Sequence, residues 1–190
     1  MKTRNKSVPA VYILLEKEGK FLIGRRYNTG YQDGNYQVPA GHVEEGELPT
    51  EAIIREAKEE VGVDLILSNL ELVHVGYRPK HDPTGDLVDF FFQAKNWQGE
   101  VKNMEPNKCD DLKWVSLNEL PENMTPHVRE AMQCIKRGTF FKELGIDYLK
   151  EKPSFEFELF NVFKSEITPT NLIQFDNSIH PCDYRAGSLP

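Results

Sequence analysis

Positions 8–15 read Val-Pro-Ala-Val-Tyr-Ile-Leu-Leu, a short apolar run rich in β-branched residues that predicts a strand. Gly19 turns the chain, and 21–25 reads as the hairpin partner. Residues 27–34 hold Asn28, Gly30, Asp33 and Gly34 and read as loop. A short strand over 36–39 leads into a glycine-bounded acidic loop over 41–46. The period then changes. A helix is expected over 49–61, opened by Pro49 and stopped by Gly62. With Glu56 as origin at about 100° per residue, Ile54, Ala57 and Val61 fall at about 160°, about 100° and about 140°, one apolar stripe. Residues 65–72 fit neither period. Strands are predicted over 73–77, 87–94 and 112–115, and a turn of helix over 117–120. A second helix over 127–137 carries Val128, Met132 and Ile135 on one face. The order lacks a regular βαβ rhythm, so a mixed sheet flanked by helices is expected.

The pattern changes character near Lys150, which divides the chain into a 1–150 domain and a 151–190 extension. In the extension Phe155, Phe157 and Leu159 alternate with Glu156 and Glu158, an edge-strand pattern, before a polar tail from Asp176 that is expected to fray. No apolar run approaches the roughly 20 residues that span a bilayer, and the basic start is not followed by a signal-peptide pattern. A cytoplasmic protein with no membrane partner is expected. Cys109, Cys134 and Cys182 are odd in number and lack metal-ligand spacing, which argues against a disulfide framework. The charge balance, 23 basic against 30 acidic residues, is opposite to that of a non-specific nucleic-acid binder. An acidic protein that acts on a polyphosphate needs a cation between the two.

Residues 41–63 supply a place for one. On the helix Glu59 falls at about 300° and Glu60 at about 40°, so Glu56, Glu59 and Glu60 share one sector. Like charges so spaced repel. A hard divalent cation such as Mg²⁺ relieves the repulsion and accepts phosphate oxygens in its open positions. Arg55, at about 260°, can bridge back to Glu47 and fix the loop to the helix. Glu51 and Lys58, at about 210°, read as solvated. Gly41 and Gly46 read as the residues that permit a tight loop, and Gly62 as a left-handed helix end.

Gly41, Glu47, Arg55-Glu56, Ala57, Glu59-Glu60, Gly62 and Val63 stand at the spacing of the Nudix box, and the chain resembles the Nudix hydrolases. Phe21-Leu-Ile-Gly-Arg25-Arg26, Tyr36-Gln-Val-Pro39-Ala40 and Lys113-Trp114-Val-Ser-Leu-Asn-Glu-Leu-Pro121 look like the flanking segments of MutT-type members, so the resemblance covers about 10–145. It implies an α/β fold, a mixed β-sheet in an α/β/α sandwich with a loop–helix–loop metal site. It implies Mg²⁺, with Mn²⁺ as alternative, on Glu56 and Glu60, with Glu59 as a further ligand or the base, and with the Ala40 carbonyl completing the set. Glu47 and Arg55 support that site. For the additional carboxylate that many members carry on a later loop, Glu105 is the first candidate, and Asp110 and Asp111 are alternatives.

Arg25 is the candidate phosphate clamp. Arg26 is expected to point the other way along the strand. Tyr36 and Phe90 or Phe92 are candidates to stack on a base, against a plain role as core aromatics.

The implied function is hydrolysis of a phosphoanhydride bond in a nucleoside diphosphate derivative. The first reading is a nucleoside triphosphate, cut to monophosphate and pyrophosphate. ADP-ribose or a nucleotide sugar is the alternative, to which Pro79 gives slight support. The expected partner is a small nucleotide, with the protein a monomer or homodimer. A non-catalytic nucleotide sensor is disfavoured, because the box retains every carboxylate.

Overall fold

The computed structural model describes residues 6–82 and 85–143. They form strands β1 (Ser7–Lys17), β2 (Lys20–Arg26), β3 (Tyr36–Gln37) and β4 (Ala40–His42), then helix α1 (Pro49–Val61). Strands β5 (Glu71–Asp82), β6 (Gly85–Ala94) and β7 (Cys109–Ser116), helix α2 (Pro126–Lys136) and strand β8 (Phe141–Glu143) follow. The strands make one mixed sheet in the order β3-β2-β1-β6-β5-β8, with β4 attached to β1 and β7 to β2. The β1–β2 hairpin turns at Gly19, whose φ of +72° suits glycine.

Strand β1 is central because it lies parallel to β6 along its length, from Ser7↔Asp86 to Leu15↔Ala94, while β4 and β2 pair antiparallel with it. Its side chains alternate between two cores. Val11, Ile13 and Leu15 pack with Ala52, Ile53, Ala57 and Val61 of α1. Ala10, Tyr12 and Leu14 pack with Val128, Ala131 and Met132 of α2. A strand covered on both faces is apolar on both, which is why positions 10–15 run without a polar interruption. The helices therefore lie on opposite faces of the sheet, the expected sandwich. No helix of the described residues is long and apolar enough to cross a membrane.

Several boundaries differ from the sequence reading. Strand β5 continues past Tyr77 to Asp82, so Arg78 and Pro79 are strand residues rather than loop. Gly41 belongs to β4 rather than to the acidic loop, because its backbone pairs with Val11. Residues 117–120 form a turn rather than a helical turn, closed by Glu119 N–H on the Ser116 carbonyl and Asn118 N–H on the Ser116 hydroxyl. The ambiguous 65–72 stretch contains a 3₁₀ turn, Leu67–Asn69, and then enters β5. The strand pattern at 155–159 lies outside the described residues.

Helix α1 has the expected limits. Its last turn closes on Gly62 at φ +74°, whose N–H donates to the Lys58 carbonyl. At its start the Glu51 carboxylate accepts from the Leu48 N–H at 2.9 Å, so this exposed residue secures the helix N-terminus instead of being merely solvated.

Candidate active site

Strand β4 carries Ala40 and Gly41 along β1 directly before the loop that enters α1. This brings the backbone of residues 40–41 against the carboxylates on α1. The Ala40 N–H donates to Glu60 Oε2 at 3.0 Å. A Cβ built on Gly41 would stand 1.8 Å from Glu56 Oε1. Gly41 is not in the left-handed region, whereas Gly46 is, at φ +81°. The loop therefore requires glycine at 46, and Gly41 is needed for the close approach of Glu56.

Arg55 binds this loop to the helix, as its spacing predicts. Its Nε donates to Glu47 Oε1 at 2.9 Å and its Nη2 to Glu47 Oε2 at 3.0 Å. Nη2 also donates to the His42 carbonyl at 3.2 Å, and Nη1 to Glu56 Oε1 at 2.7 Å and to Glu59 Oε2 at 3.4 Å. The Glu44 N–H donates to Glu47 as well. Arg55 holds the Glu47 carboxyl below the usual range, and Glu47 foremost keeps Arg55 firmly charged.

The neighbouring carboxylates are less comfortable. Burial pushes the Glu60 carboxyl up to about 8; Glu56 and Glu105 add to the rise, while the Ala40 N–H and Arg26 oppose it. Burial also raises Glu56, against the pull of Arg55. Glu59 is 56% exposed and is the most open of the three.

Glu105 joins them across a cleft of about 640 Å³ that Glu56, Glu59, Glu60, Ala40 and Gly41 also line. Lys108 donates to Glu105 Oε1 at 2.7 Å. The two alternatives to Glu105 are engaged elsewhere. Asp110 forms a two-point pair with Arg25 at 2.7 and 3.0 Å, and Asp111 accepts from the Tyr36 hydroxyl at 2.5 Å.

The arginines divide differently from the expectation. Both line the cleft. Arg25 is committed to Asp110. Arg26 lowers the Glu60 carboxyl through its field, and its guanidinium is fixed by the Tyr31 carbonyl at 2.7 Å, the Thr29 hydroxyl at 2.9 Å and the Tyr31 ring, 5.5 Å away. The break in β2–β7 register between Arg25 and Arg26 upsets the simple alternation from which Arg26 is expected to point away. Tyr36 is buried, with the Lys113 ammonium 3.7 Å from its ring centre, and Phe90 packs against the α1-side core. Phe92 is in that core too. None of these three rings lines the cleft.

Sequence reasoning does not single out Tyr12, Arg78, Asp89 or His127. Tyr12, Arg78 and His127 line the cleft, and Asp89 grips Arg78. A signal is present: Asp89 interrupts Leu-Val-Asp-Phe-Phe-Phe, and a charge inside such a run marks a buried pair.

No three His, Cys, Asp or Glu side chains among the described residues already converge as a metal cluster, and Arg55 pairs with Glu56 and Glu59 while Lys108 pairs with Glu105. The donor set nevertheless suits a hard divalent ion. It offers only oxygens, it leaves Glu60 desolvated with a single N–H partner, and the missing Cβ of Gly41 makes room for Glu56 beside the Ala40 backbone.

The family described as NUDIX domain matches residues 5–134. An ADP-ribose pyrophosphatase of Methanocaldococcus jannaschii is 35% identical over 121 residues, 63% of this chain and 69% of that protein. An RNA pyrophosphohydrolase of Wolbachia sp. subsp. Brugia malayi is 27% identical over 146 residues, 70% of this chain and 89% of its own. The crystal structure of a MutT NUDIX hydrolase from Burkholderia pseudomallei superposes with a TM-score of 0.61 at 24% identity, covering 67% of this chain and 97% of that one. The family match and these relatives together indicate a hydrolase of pyrophosphate bonds. The chain belongs to the NUDIX family.

Proposed function

We propose that this protein hydrolyses a phosphoanhydride bond in a nucleoside diphosphate derivative with Mg²⁺, first of all a nucleoside triphosphate, cut to monophosphate and pyrophosphate. The observation that carries the reading is the meeting of Glu56, Glu59, Glu60 and Glu105 in one cleft that also holds Arg25, Arg26 and Lys108. Glu56, Glu60, Glu59 and the Ala40 carbonyl would hold the ion, with Mn²⁺ able to replace Mg²⁺. Once bound, the ion neutralises phosphate charge and lowers the pKa of water. Glu59 or Glu105, both lining the cleft, would take a proton from the attacking water. Arg26, and Arg25 if released from Asp110, receive phosphate oxygens. Arg55 acts through Glu47, keeping the loop and helix in register.

ADP-ribose is the second reading, favoured by the relative from Methanocaldococcus jannaschii. Chromatography of the products from a nucleotide panel separates the two. Monophosphate plus pyrophosphate is expected; AMP plus ribose phosphate establishes the second reading. No hydrolysis of any member, together with tight nucleotide binding, refutes catalysis in favour of a sensor. A cytoplasmic small-nucleotide enzyme, monomeric or homodimeric, with a 1–150 catalytic domain and a 151–190 extension, completes the proposal.

A further inference from the structure

The α2 side of the cleft contains an ion pair that the hydrolytic groups do not use. Arg78 is 6% exposed and Asp89 is fully buried. Arg78 Nε donates to Asp89 Oδ2 at 2.5 Å, and its Nη2 donates to Asp89 Oδ1 at 2.9 Å and to the Tyr12 hydroxyl at 3.1 Å. The Tyr12 hydroxyl also lies 3.1 Å from His127 Nε2, and its ring stacks on Phe91 at 4.4 Å. Two strands, the central strand and α2 thus combine to hold one guanidinium still. Burying a charged pair brings little net stability, so a pair held at the wall of a substrate cleft suggests a role in recognition.

The direction of the hydrogen bonds says what would be recognised. Nη1 is the one guanidinium nitrogen of Arg78 that makes no hydrogen bond among the described residues, and Arg78 lines the cleft. It can only donate. Both Asp89 oxygens are taken by Arg78, so this wall presents donors rather than that carboxylate. Asp89 also neutralises the guanidinium, which favours a neutral acceptor over a second phosphate. Leu87 and Tyr31 line the cleft beside it with apolar surface.

We propose that Arg78, oriented by Asp89 and Tyr12, selects a ring carbonyl on the nucleobase, so that keto bases are preferred to their amino counterparts. The inference rests on the nucleotide reading above and deepens it. Hypoxanthine and uracil present a carbonyl oxygen where adenine and cytosine present an amine. An amine there would set N–H against N–H and leave Nη1, covered by the bound base, without an acceptor.

Two matched pairs test this in the full-length protein with Mg²⁺: ITP against ATP and UTP against CTP. The keto member is expected to have kcat/KM higher by about tenfold or more in both pairs. Equal or reversed ratios overturn the proposal. Tyr12→Phe keeps the ion pair but removes one of its tethers, and it is expected to narrow the ratio. Arg78→Met alone would strand Asp89, so Arg78→Met is combined with Asp89→Asn, and the fold is checked by thermal melting. A folded double variant that keeps the wild-type ratio refutes the role of Arg78. Calorimetry with IMP and AMP reads the same preference without catalysis. Tighter IMP binding supports the inference even if no triphosphate is cleaved, in which case only the hydrolytic reading fails. Equal binding of the two overturns it.

Discussion

The Glu60 carboxyl accepts the Ala40 N–H and has lost most of its water, and its pKa rises to about 8. The folded chain therefore holds that proton more tightly than the unfolded chain. Stability from this group is complete below the ordinary carboxylate range and is lost as pH rises through about 8. Glu60→Gln removes the ionisation and keeps an oxygen for the Ala40 N–H. Its metal-free melting temperature is expected to fall less between pH 5 and 9 than that of wild type, while activity drops roughly a hundredfold or more. A wild-type pH dependence of melting in this variant would show that Glu60 is not the titrating group. Gly41→Ala addresses the same pocket from the backbone. The added methyl would occupy the place of Glu56 Oε1 while its own backbone is unstrained. Metal affinity, measured by calorimetry with Mn²⁺, is expected to weaken by about 10–100-fold in a protein that still folds.

At the scale of elements, α1 is held at both ends by devices of unequal legibility. Gly62 is conspicuous in the sequence because it follows an apolar period. Its φ of +74° makes Gly62→Ala unfavourable, while Met104, whose Sδ would be 3.2 Å from a Cβ, is an exposed and flexible side chain that can give way. A loss of about 1–2 kcal/mol is expected in urea unfolding, with no change in which products form. The cap made by Glu51 was not legible, since a carboxylate at that wheel position looks like any solvated one. The Arg55–Glu47 bridge was legible, because both residues stand at fixed distances from a recognisable run. The ends of β5 and β4 were not. Pro79 suggests an end to regular pairing, and it falls in the register break of the β5–β6 ladder between Arg78 and Asp82, past the last β5–β8 pair at Tyr77, while Gly41 looks like loop until the pairing with Val11 is seen.

For the whole molecule, the carboxylate face of α1 and the sandwich could be anticipated because both follow from short-range periodicity and spacing. The other wall of the cleft could not. Tyr12, Arg78, Asp89 and His127 come from four separate elements, and only sheet register and the packing of α2 on the sheet bring them together. The same limit applies to Tyr36 and Phe90, since aromatic identity does not reveal whether a ring packs in a core or lines the cleft. Metal and protons are coupled through this whole site. On the proposed ligand set, binding a divalent ion requires Glu56 and Glu60 to be ionised, and burial raises both. Mg²⁺ is expected to raise the melting temperature more at pH 8.5 than at pH 6. An equal rise at the two pH values would place the ion on other groups.

The parallel pairing of β1 with β6 also sets the order in which the molecule can be assembled. Each residue of β1 finds its β6 partner about eighty positions later, with α1 and the β4 loop in between. During synthesis this apolar strand emerges well before its parallel neighbour, with only β2 and then β4 to cover its edges in the interval. Refolding is therefore expected in the slow, millisecond-to-second range of chains dominated by distant contacts, with helical signal preceding completion of the sheet in stopped-flow experiments. During that interval the exposed run 10–15 is the part of the chain most prone to self-association, and a charge placed at Ile13 should be tolerated least of all.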